Sequence, residues 1–326
     1  MKWLLLAISG RVVVVVLAAS LVLVSMAAVS GAVMGVPGGP NPPQPLTTFP
    51  KGSFPESLAV RGGDLYVSLG FLGQVVKVTA AGDQTLIATV PRGDEGLLTG
   101  LAFDGAGNLY VGAATFADDP APGVFQIAPD STLTRVLTLP SSSFPNGLAF
   151  HDGYLYVSDS AQGAIWRVQP GEPSPSAPWY QDPLLAPSKF IGANGIAFDT
   201  SGHLYVVVSD SGRVVRLTLT GDGSVVSDAT VVTEREQLRS ADGIAFDASG
   251  SLYIAVNHTN RLYRLALPDG TLTRLADRSD GLSYPTQPAF DTNFGATTLY
   301  LTNGALYNGI PGIEAFDFGV GGLPLP

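Results

Sequence analysis

Six short polar side chains recur at regular intervals along this sequence and are the first candidates for chemistry. They lie 43, 47, 48, 48 and 44 residues apart. We call them the head residues: Glu56, Thr99, Asn146, Asn194, Asp242 and Thr286. Two carboxylates and two amides among them offer hard oxygen ligands with a net charge of −2, which, completed by water, suit Ca²⁺. The set contains neither His nor Cys, which argues against zinc or copper. We therefore expect Glu56, Asn146, Asn194 and Asp242 to hold one calcium ion if the fold brings them together.

A purely structural explanation also exists for these positions. Asn146 and Asn194 are each followed by glycine, and Asn-Gly is a dipeptide that tight turns favour, so each pair could simply mark the entry to a strand. That explanation accounts for each residue singly. It accounts less well for the whole set, because converging carboxylates with no basic residue among them would repel each other and raise their pKa values unless a cation compensates.

The head residues begin six copies of one sequence unit, and this unit predicts the elements that must position them. The clearest copies are residues 145–150, 193–198 and 241–246, each followed by a turn and a Leu-Tyr-Val or Leu-Tyr-Ile segment. A third apolar segment then closes each unit. Three or four short strands in about 45 residues are typical of one four-stranded propeller blade. We expect an all-β fold, a six-bladed β-propeller of four-stranded antiparallel blades, with a parallel solenoid as the alternative.

A ring of six blades also explains a shared alanine and predicts how the ring closes. An alanine stands three residues after each head residue, where innermost strands converge on one axis and bulky side chains would collide. The sixth unit shows no evident fourth strand after residues 313–318. We predict that residues near 46–49 fill this place, so that the N-terminal part of the domain completes the last blade.

The first 36 residues are typical of an export segment. Lys2 and Arg11 precede an uncharged apolar run, residues 12–36, and Ser30-Gly31-Ala32 resembles a signal-peptidase site. As a helix this run would be about 37 Å long, which is enough to cross a bilayer of about 30 Å. A buried core helix is the alternative, but the valine-rich sequence with flanking basic residues fits it less well. We predict a signal peptide or membrane anchor over residues 1–36, a proline-rich linker over 37–45, and the propeller over 46–326. The protein would then be secreted or extracytoplasmic.

Composition narrows the partners that the propeller could have. Hydrophobic residues make up 45% of the chain and charged residues 13%, which excludes global disorder. The formal net charge of −10 would be repelled by phosphate backbones, so we expect no nucleic acid partner. Membrane contact is expected through the N-terminal segment only. The absence of cysteine removes disulfides, thiolate metal sites and cysteine nucleophiles.

The four oxygen ligands and their surrounding segments resemble a known family, the regucalcin/gluconolactonase (senescence marker protein, LRE-like) family. Its members, and their diisopropylfluorophosphatase and paraoxonase relatives, are six-bladed propellers. They hold one catalytic calcium through a glutamate of blade one, asparagines of blades three and four, and an aspartate of blade five. The matching positions here are Glu56, Asn146, Asn194 and Asp242, in the same order. The resemblance covers residues 50–318 and includes the segments Asn-Gly-Leu-Ala-Phe and Asp-Gly-Ile-Ala-Phe-Asp.

The resemblance implies a calcium-dependent hydrolase that acts on a small molecule, with a lactone or ester ahead of a phosphoester. The ion would be the Lewis acid, and Asp242 would be the general base or nucleophile. This sequence departs from the family at two positions: Phe144 stands where sugar lactonases carry an arginine, and Gly243 stands where paraoxonases have a second asparagine ligand. The paraoxonase catalytic histidines have no evident equivalent. Phe144 suggests a substrate less polar than a sugar acid.

Further pocket residues are expected beside the ion, because loops that follow second strands should open on the same face. The weaker candidates for the substrate pocket are Phe144, Thr99, Thr286, Asp159, His258 and Asn303. Each of them could instead be an ordinary rim or loop residue. The alternative to a hydrolase is a non-catalytic binding propeller, similar to repeat proteins of the NHL type, with a structural or vestigial metal site.

Overall fold

The computed structural model describes residues 6–8, 11–13, 43–116, 120–267, 269–291, 293 and 296–323. Strands β1 (Leu6–Ile8) and β2 (Arg11–Val13) form a short antiparallel pair within the predicted export segment. The rest of that segment and most of the predicted linker lie outside the described residues. Helices in the described part are short 3-10 turns at Gly70–Leu72, Glu236–Leu238 and Arg278–Asp280. None of the described helices has the length and apolar character needed to cross a membrane.

Six four-stranded antiparallel sheets follow one another along the chain and confirm the predicted propeller. Blade one contains β4 (Pro55–Arg61), β5 (Asp64–Leu69), β6 (Gln74–Val78) and β7 (Gln84–Thr89). Blade two contains β8 (Leu97–Phe103), β9 (Leu109–Ala114), β10 (Gly123–Ile127) and β11 (Leu133–Thr138). Blade three contains β12 (Pro145–His151), β13 (Tyr154–Asp159), β14 (Ala164–Val168) and β15 (Tyr180–Gln181).

The second half of the ring repeats this pattern. Blade four contains β16 (Ala193–Phe198), β17 (Leu204–Val208), β18 (Arg213–Leu219) and β19 (Val226–Glu234). Blade five contains β20 (Ala241–Phe246), β21 (Leu252–Val256), β22 (Arg261–Leu265) and β23 (Leu272–Ala276). Blade six contains β24 (Pro285–Phe290), β25 (Thr298–Asn303) and β26 (Gly312–Asp317), and it gains a fourth strand from the N-terminal side, β3 (Gln44–Thr48). Each innermost strand contacts the next, and β24 contacts β4, so the ring is closed.

The closing strand confirms the predicted role of the N-terminal part of the domain. Strand β3 pairs antiparallel with β26, and Thr47 lies opposite Ile313. The strand begins at Gln44, two residues before the predicted start of the propeller at residue 46. Pro45 can occupy this strand because β3 is the outermost strand of its sheet. No further strand lies beyond it that would need a hydrogen bond from the N–H that proline lacks.

The core lies between neighbouring blades. Second strands such as β17, with the sequence Leu-Tyr-Val-Val-Val, are buried at every residue because blades cover both of their faces. Outermost strands are different: most residues of β19 are exposed or half-buried. The apolar interior therefore forms six wedges around the axis, which hold the innermost strands and their head residues in place.

Candidate metal centre

Each head residue lies at an irregularity in its innermost strand. The pairing register with the second strand shifts at this point in all six blades, for example between Pro145 and Leu148 around Asn146. Such a bulge frees the residue from the ladder and re-aims its side chain, as is common beside functional sites. All six head side chains are at most 8% exposed. Each of the six blades therefore has a β-bulge at its head residue, and the six bulges surround one axis.

The Asn-Gly pairs lie at strand entries, as the structural explanation expects, but there they form close-packing contacts between blades rather than turns. Gly147 and Gly195 lie within strands β12 and β16. A methyl group on Gly147 would lie 2.5 Å from the carbonyl oxygen of Asn194, and one on Gly195 would clash with the carbonyl oxygen of Asp242. Glycine is needed here because the next blade's backbone approaches too closely for a side chain. This approach sets Asn146, Asn194 and Asp242 side by side.

Serine hydroxyls orient the two asparagine ligands. Asn146 Nδ2 donates to Ser160 Oγ at 3.1 Å, and Asn194 Nδ2 donates to Ser209 Oγ at 2.9 Å. Each hydroxyl in turn donates to a backbone carbonyl of the next blade, Ser160 to Ala193 at 2.6 Å and Ser209 to Ala241 at 2.5 Å. The serines thereby limit the rotation of both side-chain amides, and Asn194 Nδ2 also donates to the carbonyl of Ala241 at 3.5 Å and hydrogen-bonds Asp242. Bonds of this kind hold metal ligands in position.

The two carboxylates interact across the ring. Burial, and then the negative charge of Asp242, raise the pKa of Glu56 well above its ordinary value. Burial raises the pKa of Asp242 to about 7, although hydrogen bonds from Asn257 and Asn194 act in the opposite direction. Two buried acids that disfavour each other's charge require either protons or a cation. Glu56 and Asp242 thus have the electrostatic character that the metal hypothesis predicts.

Asn257 is a member of the site that the ring pattern missed. It follows β21 in blade five, and its Nδ2 donates to Asp242 Oδ2 at 3.2 Å. Among the described residues, its Oδ1 has no hydrogen-bond partner although it is buried. A buried oxygen without a partner is unfavourable unless water or an ion binds it. A cation held by Asp242 would satisfy it.

The donor set fits a hard cation. The described residues contain no cluster of three or more His, Cys, Asp or Glu side chains, so this centre depends on amide oxygens as well as its two acids. Calcium accepts amide and carboxylate oxygens in a flexible shell of six to eight, whereas zinc prefers nitrogen and sulfur. Glu56, Asn146, Asn194, Asp242 and Asn257 fit calcium in charge, hardness and burial.

Four of the weaker pocket candidates have their polar groups engaged by the fold. Thr99 Oγ1 and Thr286 Oγ1 donate to the carbonyls of Pro145 and Pro55, both at 3.0 Å, and so join neighbouring innermost strands. Asp159 Oδ1 accepts from three backbone N–H groups, including that of Phe144, and its Oδ2 accepts from a tryptophan indole.

Asn303 likewise bonds Ser283, Gly281 and Glu314. All four residues are at most 1% exposed, so their side chains are buried in this structure. Their hydrogen bonds fix the loops and strands on which the head residues lie.

Aromatic side chains line the mouth of the channel instead. Phe144 packs on Phe116 with ring centroids 5.5 Å apart, and the exposed His258 lies 5.4 Å from the ring of Tyr284. Burial, and then the charges of Asp242, Tyr307 and Glu56, raise the pKa of Tyr284, which places its hydroxyl within electrostatic reach of both acids.

The sequence itself carries a signal for these aromatic residues. An aromatic residue and a proline precede the head residue in three blades, as Phe54-Pro55-Glu56, Phe144-Pro145-Asn146 and Tyr284-Pro285-Thr286. This aromatic-proline pattern was sufficient to predict Phe54 and Tyr284 as rim residues. Asn257 follows the second strand of its blade, in the place that Ser160 and Ser209 hold in theirs, so the repeat also indicates its position.

Solved structures similar to this chain share its architecture. A luciferin-regenerating enzyme is 15% identical with a TM-score of 0.66, covering 88% of this chain and 98% of that chain. A calcium-binding regucalcin from Agrobacterium tumefaciens is 18% identical with a TM-score of 0.63, covering 87% and 94%. A streptogramin B lyase is 16% identical with a TM-score of 0.58, covering 80% and 78%. At these identities the likeness shows the fold alone.

Sequence comparison with curated proteins gives no match. A family model described as "SMP-30/Gluconolactonase/LRE-like region" matches residues 49–222 and 183–305, which together span most of the propeller. The resemblance drawn from the head residues is thereby confirmed at the level of the family. The chain belongs to the SMP-30/gluconolactonase/LRE-like family.

Proposed function

We propose that this protein is an extracytoplasmic, calcium-dependent hydrolase of a small lactone or ester. The observation that carries the proposal is the pair of buried acids, Glu56 and Asp242, set against amide oxygens from two further blades. Membership of a family named for gluconolactonase supports a lactonase-type reaction. The regucalcin that the chain resembles in fold is described as calcium-binding, which supports the choice of ion. The apolar run at residues 12–36 supports export.

Glu56, Asn146, Asn194 and Asp242 would hold the ion, and Asn257 Oδ1 would face it from blade five. When bound, calcium supplies a Lewis acid that polarises the substrate carbonyl and stabilises the charge that develops on its oxygen. The serines bonded to Asn146 and Asn194 would limit the rotation of both side-chain amides. These groups are fixed before substrate arrives, which lowers the reorganisation needed for reaction.

Asp242 would act as the general base. Its carboxylate would take a proton from a water whose oxygen forms a bond to the acyl carbon. The acyl carbon–oxygen bond to the leaving alcohol then breaks, and the proton is returned to that alcohol. The hydrogen bond from Asn257 Nδ2 to Asp242 Oδ2 holds the carboxylate in a fixed orientation. The bound ion would keep the carboxylate of Asp242 ionised, which is the form that can accept the proton.

Hydrolysis of aryl esters and simple lactones, measured with added calcium and after removal of the metal, tests the proposal. We expect activity that requires calcium and is lost in Asp242→Asn, while the matched control Asp228→Asn, at an exposed position of β19, retains it. Activity that persists without metal, or full activity of Asp242→Asn, would overturn the proposal. Calcium binding with no turnover of any ester or lactone would favour the alternative, a non-catalytic binding propeller.

A further inference from the structure

An apolar collar surrounds part of the channel mouth. It comprises a contiguous cluster of side chains from blades six, one, two and three, namely Phe54, Phe71, Phe116, Phe144, Tyr284 and Leu306. Phe54 stacks on Phe71 at 4.8 Å and contacts Tyr284 at 6.1 Å. All but Phe54 are partly exposed, so the collar presents apolar surface to the opening rather than filling a closed core. Tyr307, 62% exposed, extends it outward beside Tyr284.

Three collar residues adopt a backbone conformation that is unfavourable for aromatic side chains. Phe54, Phe116 and Tyr284 each have φ of 54°, in the left-handed region that normally favours glycine. The surrounding structure maintains this conformation: Asn260 Oδ1 accepts a hydrogen bond from Tyr284 N at 2.6 Å. Strain of this kind clusters where a side chain must be held at a functional site. The fold thus gives up stability to direct these rings to the mouth.

The collar is continuous with the metal centre. Phe54 and Phe144 each stand two residues before a proposed ligand, Glu56 and Asn146. Tyr284 lies within electrostatic reach of both carboxylates. A substrate whose ester or lactone group lies over the proposed ion would therefore place its attached group against these rings.

The collar has no charged member, and Arg92, which contacts it, is engaged by the backbone. Arg92 Nη2 donates to the carbonyl of Phe71 at 2.6 Å, and its Nη1 donates to the carbonyls of Gly93, Asp94 and Gly96. These bonds fix the loop that follows blade one and leave Arg92 poorly placed to grip an anionic substrate. The proposed ion would balance the charge of the two acids, so the mouth offers no net positive charge to a carboxylate or a sugar acid and favours uncharged apolar groups.

We infer that the site selects uncharged lactones or esters that carry an aromatic ring or a long alkyl chain, and that the collar binds this apolar group. Phe144 and Tyr284 are its specificity-determining residues. This inference rests on the proposed hydrolase for its choice of reacting group, but binding of the apolar group can be measured without turnover.

The test uses two probe series with calcium-loaded, full-length protein. The first is a set of γ-lactams with alkyl chains of increasing length, which cannot be hydrolysed under assay conditions, titrated by calorimetry. The second is the matching set of γ-lactones, with glucono-δ-lactone as the polar comparison, assayed for kcat/KM. Burial of each added methylene in the collar should raise lactam affinity and lactone kcat/KM by about threefold until the collar is filled.

Three variants assign the effect to the collar. Phe144→Arg introduces the polar, charged group that the collar lacks and should reduce the affinity for the longest lactam by about tenfold or more, while Phe144→Leu keeps an apolar surface and should retain the dependence on chain length. Phe150→Leu is the matched control, because Phe150 lies at the other end of strand β12 and stacks on Tyr110, away from the collar. Calcium titration of each variant verifies that the metal centre is intact.

The outcomes separate the two proposals. Lactam affinity that rises with chain length, with no lactone turnover, supports the collar and overturns the hydrolase. Turnover that is independent of chain length, or a preference for glucono-δ-lactone, overturns the collar and leaves the hydrolase standing. Equal loss of lactam affinity in Phe144→Arg and Phe150→Leu also overturns the collar, because it would show a general effect on folding.

Discussion

Asn257 Nδ2 donates to Asp242 Oδ2 at 3.2 Å, while Oδ1 of the same amide is buried without a partner among the described residues. One planar group thus fixes the proposed base and also presents an unsatisfied oxygen to the same centre. The pair connects two parts of blade five, the head of β20 and the loop after β21. Its geometry explains why a residue outside the ring pattern belongs to the site.

Replacement of Asn257 should weaken calcium binding. Asn257→Ala removes both the hydrogen bond to Asp242 and the free oxygen, and we expect calcium affinity to fall by about tenfold to a hundredfold. Calorimetric titration of metal-free protein measures this change. The matched control is Asn308→Ala, in an exposed loop, which should bind like wild type. Unchanged affinity in Asn257→Ala would remove this residue from the metal centre.

The metal-free protein should lose stability as the pH rises from about 4 to about 7. Asp242 ionises near its ordinary pKa of 3.8 in the unfolded chain, but burial raises its pKa to about 7 in the folded chain. Its contribution is therefore fully present below the unfolded value and is lost as the pH rises through the folded one. Glu56 acts in the same direction. Calcium should abolish the loss, since it stabilises the ionised acids.

Melting temperatures of metal-free and calcium-loaded protein, measured between pH 4 and pH 8, test this prediction. The comparison with Asp242→Asn isolates the contribution of one group from the titration of all others. The same linkage predicts that calcium affinity rises with pH over this range, because binding requires both carboxylates in their ionised form. If the pH dependence of metal-free wild type and Asp242→Asn is identical, Asp242 does not have the raised pKa.

Gly195→Ala should disrupt the contact between blades four and five. The added methyl group would clash with the carbonyl oxygen of Asp242 and lie 2.9 Å from Gly243 Cα, both backbone groups that cannot rotate away. We expect the free energy of unfolding to fall by about 1–3 kcal/mol and calcium affinity to fall with it. Gly221→Ala is the matched control, because a methyl group there would contact nothing within 4 Å. Urea denaturation of both variants measures the difference, and equal stabilities would contradict the close-packing explanation.

Removal of strand β3 should destabilise the ring. A chain that begins after Thr48 loses the fourth strand of blade six and uncovers Ile313, which is fully buried in the intact domain. We expect the melting temperature to fall by about 10 °C or more relative to a chain that begins at residue 43, which retains the strand. Equal melting temperatures of the two chains would show that β3 does not contribute to closure.

The fold could be predicted from the sequence because six copies of one unit each predict the same strands and turns. Strand length, turn residues and the apolar Leu-Tyr-Val segments recur within each unit, and a unit that cannot bury both faces alone requires neighbours. The four proposed ligands were accessible for the same reason: each occupies the same place in its unit, so a closed ring must bring Glu56, Asn146, Asn194 and Asp242 toward one axis.

Other features were decided by tertiary structure alone. Gly147 reads as a turn residue locally, and only the carbonyl of Asn194 in the next blade makes it a packing residue. Asn257 lies in the repeated loop after a second strand, but only the folded structure shows that its Nδ2 donates to Asp242 and that its Oδ1 has no partner among the described residues. The rings of Phe54 and Tyr284 reach the mouth through left-handed backbone, which aromatic residues do not prefer by themselves. Periodicity therefore determined where the blades and their ligands lie, whereas contacts between blades decided what surrounds those ligands, because such contacts join residues whose sequence neighbours carry no record of them.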